Sequence, residues 1–186
     1  MSDTKGNAMV FVLLADGFEE IEALTPVDML RRAGVDVRTV GIGTMNPTGS
    51  HGITVKADIS PEEADLSKLD MVVFPGGMPG SLNLDASPFT DKAIEAAKNY
   101  GARIAAICAA PLVLGRRGIL KGLKATCYPG FEKELIGADV TGAGVVTDGL
   151  VTTARGMGVA LEFSKELVRL LTSSEMKDKL SSTIME

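Results

Sequence analysis

Three short apolar runs, residues 9–14, 71–74 and 104–107, each stop at a turn of small residues, proline or glycine. Runs of this length are too short for buried helices and suit strands covered on both faces. Helical patterns alternate with them. From Ser87-Pro88 to Gly101, the residues Phe89, Ala93, Ala96, Ala97 and Tyr100 recur at helical spacing. Val159, Phe163, Leu167 and Leu170 share one face of a last helix over 159–171. Asp148-Gly149 between two β-branched runs marks a hairpin. Buried strands alternating with amphipathic helices predict a three-layer α/β sandwich with a mainly parallel sheet, and such sheets bind ligands at the carboxyl ends of their strands.

The remaining segments are read from local signals. Residues 35–40 form a second strand, 41–52 a loop carrying His51, 53–55 a short strand and 61–66 a short helix. A helix follows Cys108 over 111–117, and another short one covers 131–136. The helix after the first strand has two open readings. Thr25 caps it and Pro26 begins it, or it starts near Glu19 and bends at Pro26. The 186 residues predict one domain over 9–186 with a disordered extension over 1–8.

Charge and composition exclude several function classes. A net charge of −5 is the wrong sign for a phosphate backbone, so no nucleic-acid partner is expected. No apolar stretch approaches the ~20 residues of a membrane helix, and the polar start lacks a signal pattern, which predicts a cytoplasmic protein with no membrane partner. His51 is the one histidine, which excludes sites built on several imidazoles, and no metal or other cofactor is expected. No phosphate loop or complete dinucleotide fingerprint is present.

Three strand ends carry the candidate chemistry. In Ile107-Cys108-Ala109-Ala110-Pro111 a lone cysteine lies between a strand and a helix start, flanked by small residues, the pattern of a nucleophile elbow. At a helix N-terminus its thiol pKa is expected to fall from ~8.5 into the range ~3.5–7.5. The alternative is a buried cysteine of the core. Phe74-Pro75-Gly76-Gly77 can aim backbone N–H groups at a carbonyl oxygen or an oxidised sulfur. After the first strand come Glu19, Glu20 and Glu22, of which one, held protonated beside a thiolate, can donate to the sulfur and act as an acid or base.

Taken in order, Ala15-Asp16-Gly17-Phe18-Glu19-Glu20-Ile21-Glu22 with Pro26-Val27-Asp28, Phe74-Pro75-Gly76-Gly77, Ala105-Ala106-Ile107-Cys108-Ala109-Ala110-Pro111 and Arg155-Gly156-Met157-Gly158 resemble the ThiJ/PfpI superfamily, in particular its Parkinson-disease protein deglycase branch. The resemblance implies a flavodoxin-like sandwich, a homodimer and a reactive cysteine at Cys108. It also implies a protonated Glu22 hydrogen-bonded to that cysteine and an oxyanion pocket from the backbone at Gly77 and Ala109. It places the His51 loop near a dimer interface and makes Arg155 a structural arginine. Where family members often carry a histidine near the cysteine, this chain has Tyr128, and Ala109 stands where the protease-like branch has its histidine. Protease and glutamine amidotransferase activities are therefore disfavoured.

The chemistry left to a thiolate and one carboxyl is attack on methylglyoxal or glyoxal, proton shuttling by Glu22 and hydrolysis to lactate or glycolate, without a cofactor. Turnover is expected to be slow, because tyrosine, with a reference pKa near ~10, is a poor base at neutral pH. Tyr128 and His51 are auxiliary candidates, and Cys127 is read as a bystander. The alternative function is a redox sensor or stress-response chaperone acting through oxidation of Cys108.

Overall fold

The computed structural model describes residues 8–185. The expected extension over 1–8 lies outside them except for Ala8, whose carbonyl accepts the Asp36 N–H at 3.0 Å. Six strands form the central sheet: β1 (Met9–Ala15), β2 (Asp36–Ile42), β3 (Leu69–Phe74), β4 (Arg103–Ile107), and the hairpin β7 (Val145–Asp148) and β8 (Val151–Ala154). Their order is β2-β1-β3-β4-β8-β7, parallel throughout except for the antiparallel edge strand β7. Two short parallel strands, β5 (Lys124–Ala125) and β6 (Asp139–Val140), pair separately.

The apolar runs are continuous because both sheet faces are covered. Along β1, Val10, Val12 and Leu14 face one core, and Phe11, Leu13 and Ala15 face the other. The first core is completed by α1 (Glu20–Arg32), α5 (Ala160–Leu171) and α6 (Ser174–Thr183) through Leu30, Phe163, Leu167 and Leu180. The second is completed by α2 (Gly80–Asp85), α3 (Pro88–Tyr100) and α4 (Pro111–Arg116) through Leu84, Ala93, Ala97 and Leu112. This is the mostly parallel, flavodoxin-like sandwich that the sequence pattern requires.

Local chemistry accounts for the element ends. Ser87 accepts from Phe89 N–H at the start of α3, and Gly101 closes that helix in the left-handed conformation at φ 67°. Helix α1 begins at Glu20 and runs through Pro26, which settles the two readings in favour of the early start. Three expectations need correction. Within 53–55 only Thr54 pairs, in a bridge with Thr48, and 61–66 is a turn followed by a 3-10 segment, Leu66–Lys68. Residues 131–136 likewise reduce to a 3-10 turn, Glu132–Glu134. Each lies mostly exposed or half-buried, so little of its apolar surface is held against the sheet. Helix α2 was not legible at all, because Pro79 and Gly80 read as turn residues.

Phe163 is fully buried in the first core and Tyr100 is largely exposed at the end of α3. Phe163→Ala is expected to cost roughly 3–5 kcal/mol and Tyr100→Ala within about 0.5 kcal/mol, measured by chemical denaturation.

Candidate active site

The carboxyl ends of β1, β3 and β4 converge at the point where the chain turns from adding strands on one side of β1 to adding them on the other. Cys108 follows β4 directly and has φ 65°, the left-handed region that costs a non-glycine residue on the order of 1–3 kcal/mol. Hydrogen bonds on both sides hold the turn. Cys108 N–H donates to Ala154 O at 2.9 Å, Tyr128 N–H donates to Cys108 O at 2.8 Å, and Ala110 N–H donates to Ile107 O at 3.1 Å. The conformation projects the side chain out of the strand line, and the residue is only 8% exposed.

Gly76, after β3, lies against both other groups. A Cβ there would collide with Glu22 Oε2 and would sit 2.6 Å from Cys108 Cβ, so only glycine lets the three segments close together. Its neighbour Gly77 has φ 91°. Gly76 O accepts from Glu19 N–H at 2.9 Å, which fixes the entry to α1 and with it Glu22 on the first turns of that helix. Glu22 is 0% exposed, and neither carboxyl oxygen has a partner of good hydrogen-bond geometry. Burial therefore raises its pKa to about 7, helped by the charge of Glu19 and opposed by Cys108 and the Gly76 amide.

The expectation of a depressed thiol pKa is overturned. Burial, then the charge and hydrogen bond of Glu22, push Cys108 up to about 12, against the Gly77 and Ala109 amides, which pull it down. The start of α4 has few donors to spend on sulfur: Ala110 N–H is used within the turn, Pro111 has none, and Ala109 N–H remains. Cys108 and Glu22 thus titrate as a pair. One negative charge enters near neutral pH, and the second only far above it.

Gly76, Gly77, Ala109, Cys108 and Glu22 are brought together; the two auxiliary candidates divide. The Tyr128 ring stacks over Gly156, where a Cβ would meet Tyr128 Cδ2 at 3.1 Å and Glu22 Oε1 at 3.9 Å. Tyr128, 42% exposed, therefore forms part of the rim above Glu22, together with Pro129, Met157 and Val159. His51 is engaged elsewhere in its own chain. Its Nδ1 lies 3.1 Å from Glu20 Oε2 and 3.2 Å from Ser50 Oγ. Cys127 is buried, and burial pushes its thiol up to about 11, as a bystander requires. The Arg155 side chain is exposed and makes no ion pair among the described residues, and its N–H donates to Gly144 O at 2.8 Å. Gly156 escaped the sequence reading as a site residue. Its only signal was its place in the Arg155-Gly156-Met157-Gly158 motif.

A model of the DJ-1/PfpI family matches residues 8–170. The chain belongs to the DJ-1/PfpI family. Protein DJ-1 homolog A of Arabidopsis thaliana is 36% identical over 95% of this chain, which spans only 46% of that longer relative. Parkinson disease protein 7 homolog of Danio rerio is 34% identical over 94% of this chain and 95% of its own length. Deglycase PYRAB04690 of Pyrococcus abyssi is 35% identical over 87% of this chain and 98% of its own. Among solved structures, oxidized DJ-1 of Toxoplasma gondii superposes with a TM-score of 0.91 at 33% identity, covering 96% of this chain and 98% of that one. No helix among the described residues is long and apolar enough to cross a membrane.

Two outcomes test this geometry. Gly76→Ala is expected to destabilise the fold by about 1–3 kcal/mol in thermal or denaturant melts, because the added methyl drives Glu22 and Cys108 apart. The raised pKa of Glu22 has a definite linkage sign: its stabilising contribution is complete below pH ~4.5 and is lost as pH rises to about 7. Glu22→Gln should therefore gain on the wild type by up to about 3 kcal/mol between those pH values and hold that gain above them. A constant difference across the window would contradict the assignment.

Proposed function

We propose that this protein is a cysteine-dependent, cofactor-independent enzyme of the glyoxalase or deglycase type, acting on α-oxoaldehydes such as methylglyoxal or on their adducts. The observation that carries the reading is the juxtaposition of Cys108, in a left-handed strand-to-helix turn, with a fully buried Glu22. The first charge of the pair falls on Glu22, whose pKa of about 7 lies below the value of about 12 to which Cys108 is pushed, so Glu22 is placed to take the thiol proton as the sulfur attacks. The deglycase name of the Pyrococcus relative supports the same reaction class.

The steps balance without an external oxidant. Glu22, as its carboxylate, takes the Cys108 thiol proton as the sulfur adds to the aldehyde carbon of methylglyoxal, and gives that proton to the oxygen that becomes a hydroxyl. The carboxylate then removes the C1 proton and returns it to C2, while the C1 hydroxyl proton passes to the C2 oxygen, which converts the hemithioacetal into a thioester of lactate. Water cleaves the thioester, releasing lactate and restoring the thiol. The Gly77 and Ala109 amides support the oxyanion of the cleavage step. With Tyr128 in place of a histidine, Glu22 serves every proton transfer alone, so turnover is slow.

Lactate formation from methylglyoxal in metal-free buffer tests the reading. The wild type makes lactate, Cys108→Ser falls to the background rate, and Glu22→Gln falls ~10²-fold or more. Unchanged turnover in Glu22→Gln would remove Glu22 from the reaction, and no lactate from the wild type would end the glyoxalase reading. The sensor reading, in which Cys108 is oxidised to a sulfinate held by Glu22, Gly77 and Ala109, then leads, and it requires mild peroxide to add two oxygens at Cys108 rather than at the nine methionines.

A further inference from the structure

Beside the cysteine site, a second group of side chains closes between the start of α1 and the loop of residues 48–54. Glu19 and Glu20 are 7% and 6% exposed, and both carboxylates face the single histidine, His51, whose side chain is 67% exposed. His51 Nδ1 is 3.1 Å from Glu20 Oε2 and 3.5 Å from Glu19 Oε2. A hydroxyl joins them: Ser50 Oγ donates to Glu19 Oε2 at 3.0 Å and lies 3.2 Å from His51 Nδ1. The histidine and the two carboxylates offer one ligand atom each within 4.8 Å of one another.

These separations are those of a coordination shell. Ligands about 2.0–2.1 Å from a tetrahedral zinc ion stand about 3.3–3.4 Å from each other, and the four separations above bracket that value. The set is also chemically mixed, with an imidazole, two carboxylates and a hydroxyl, and it contains no thiolate. Glu20 is held in a ligand's orientation. Its Oε1 accepts from His51 N–H at 2.9 Å and Ile53 N–H at 3.3 Å, which leaves Oε2 turned toward Nδ1. Gly49 makes room for it, since a Cβ there would collide with the Glu20 carboxyl.

We propose that Glu19 Oε2, Glu20 Oε2 and His51 Nδ1 bind a divalent transition-metal ion of the zinc class, with Ser50 Oγ or water in the fourth position. The imidazole disfavours magnesium and calcium, which take oxygen ligands. Binding displaces any proton on Nδ1 and places a double positive charge against two buried carboxylates. It also ties the 48–54 loop to α1 through Glu19, whose N–H is bonded to Gly76 O beside the cysteine site.

Zinc binding to the full chain, measured at neutral pH by competition with a chromophoric chelator in a Cys108→Ser/Cys127→Ser background, tests the proposal without reference to catalysis. One zinc ion per chain is expected, with affinity reduced at least tenfold by His51→Ala and by Glu20→Gln. Because His51 is exposed, its substitution leaves the core intact, and an unchanged melt of the His51→Ala variant controls for folding. The cobalt-substituted wild type should show tetrahedral visible bands without thiolate charge transfer. The proposal is overturned by no stoichiometric binding, by binding that survives His51→Ala undiminished, or by cobalt spectra carrying the thiolate signature.

Discussion

The site depends on one close approach: the backbone of Gly76 against the side chains of Glu22 and Cys108. Without a Cβ at that position, the ends of β1, β3 and β4 pack tightly enough to exclude water from a carboxyl and a thiol at once. Two ionisable groups deprived of solvent and placed together cannot both carry charge near neutral pH. The left-handed turn at Cys108, the entry to α1 fixed by Glu19 on Gly76, and the burial of Glu22 follow from the same contact. The sheet order supplies the setting, since the switch point lies between β1 and β3, where these strand ends meet.

Most of the fold was legible because its elements are announced by local chemistry. Ser87-Pro88 and Gly101 delimit α3, and the turn residue Gly149, at φ 58°, sits within the β7–β8 hairpin that Asp148-Gly149 foretells. The elements that failed are those whose reasons are tertiary. Helix α2 is anchored by Gly80 N–H on Gly17 O and Asn83 Nδ2 on Asp16 O, bonds to the turn after β1 that a string of Gly and Pro does not advertise. Pro26 sits inside α1 because Glu19 and Gly76 determine where that helix begins, some distance upstream of the proline.

The site was legible in its membership and not in its electrostatics. The motifs placed Cys108, Glu22, Gly76, Gly77 and Ala109 in one neighbourhood, and the structure brings them together there. The acidity of the thiol could not be read from its position ahead of a helix, because that inference assumes free amides and an exposed sulfur. Here Pro111 has no N–H, Ala110 spends its own within the turn, and Glu22 adds negative charge. The partners of His51 were likewise not legible from its glycine-rich loop. In the structure that loop is pinned across β1 by Gly17 N–H on Thr48 O and Ser50 N–H on Phe18 O, and so delivers His51 to Glu20.

The central claim is that Cys108 and Glu22 share one negative charge near neutral pH, held on the carboxyl, with the proton on sulfur. Ultraviolet thiolate absorbance of a Cys127→Ser protein, followed from acid to alkaline pH, reads that charge directly. The account predicts no thiolate from Cys108 near pH 7, where Glu22 ionises first, and its appearance only at strongly alkaline pH. One equivalent of thiolate appearing by about pH 7 would place the charge on sulfur and contradict it.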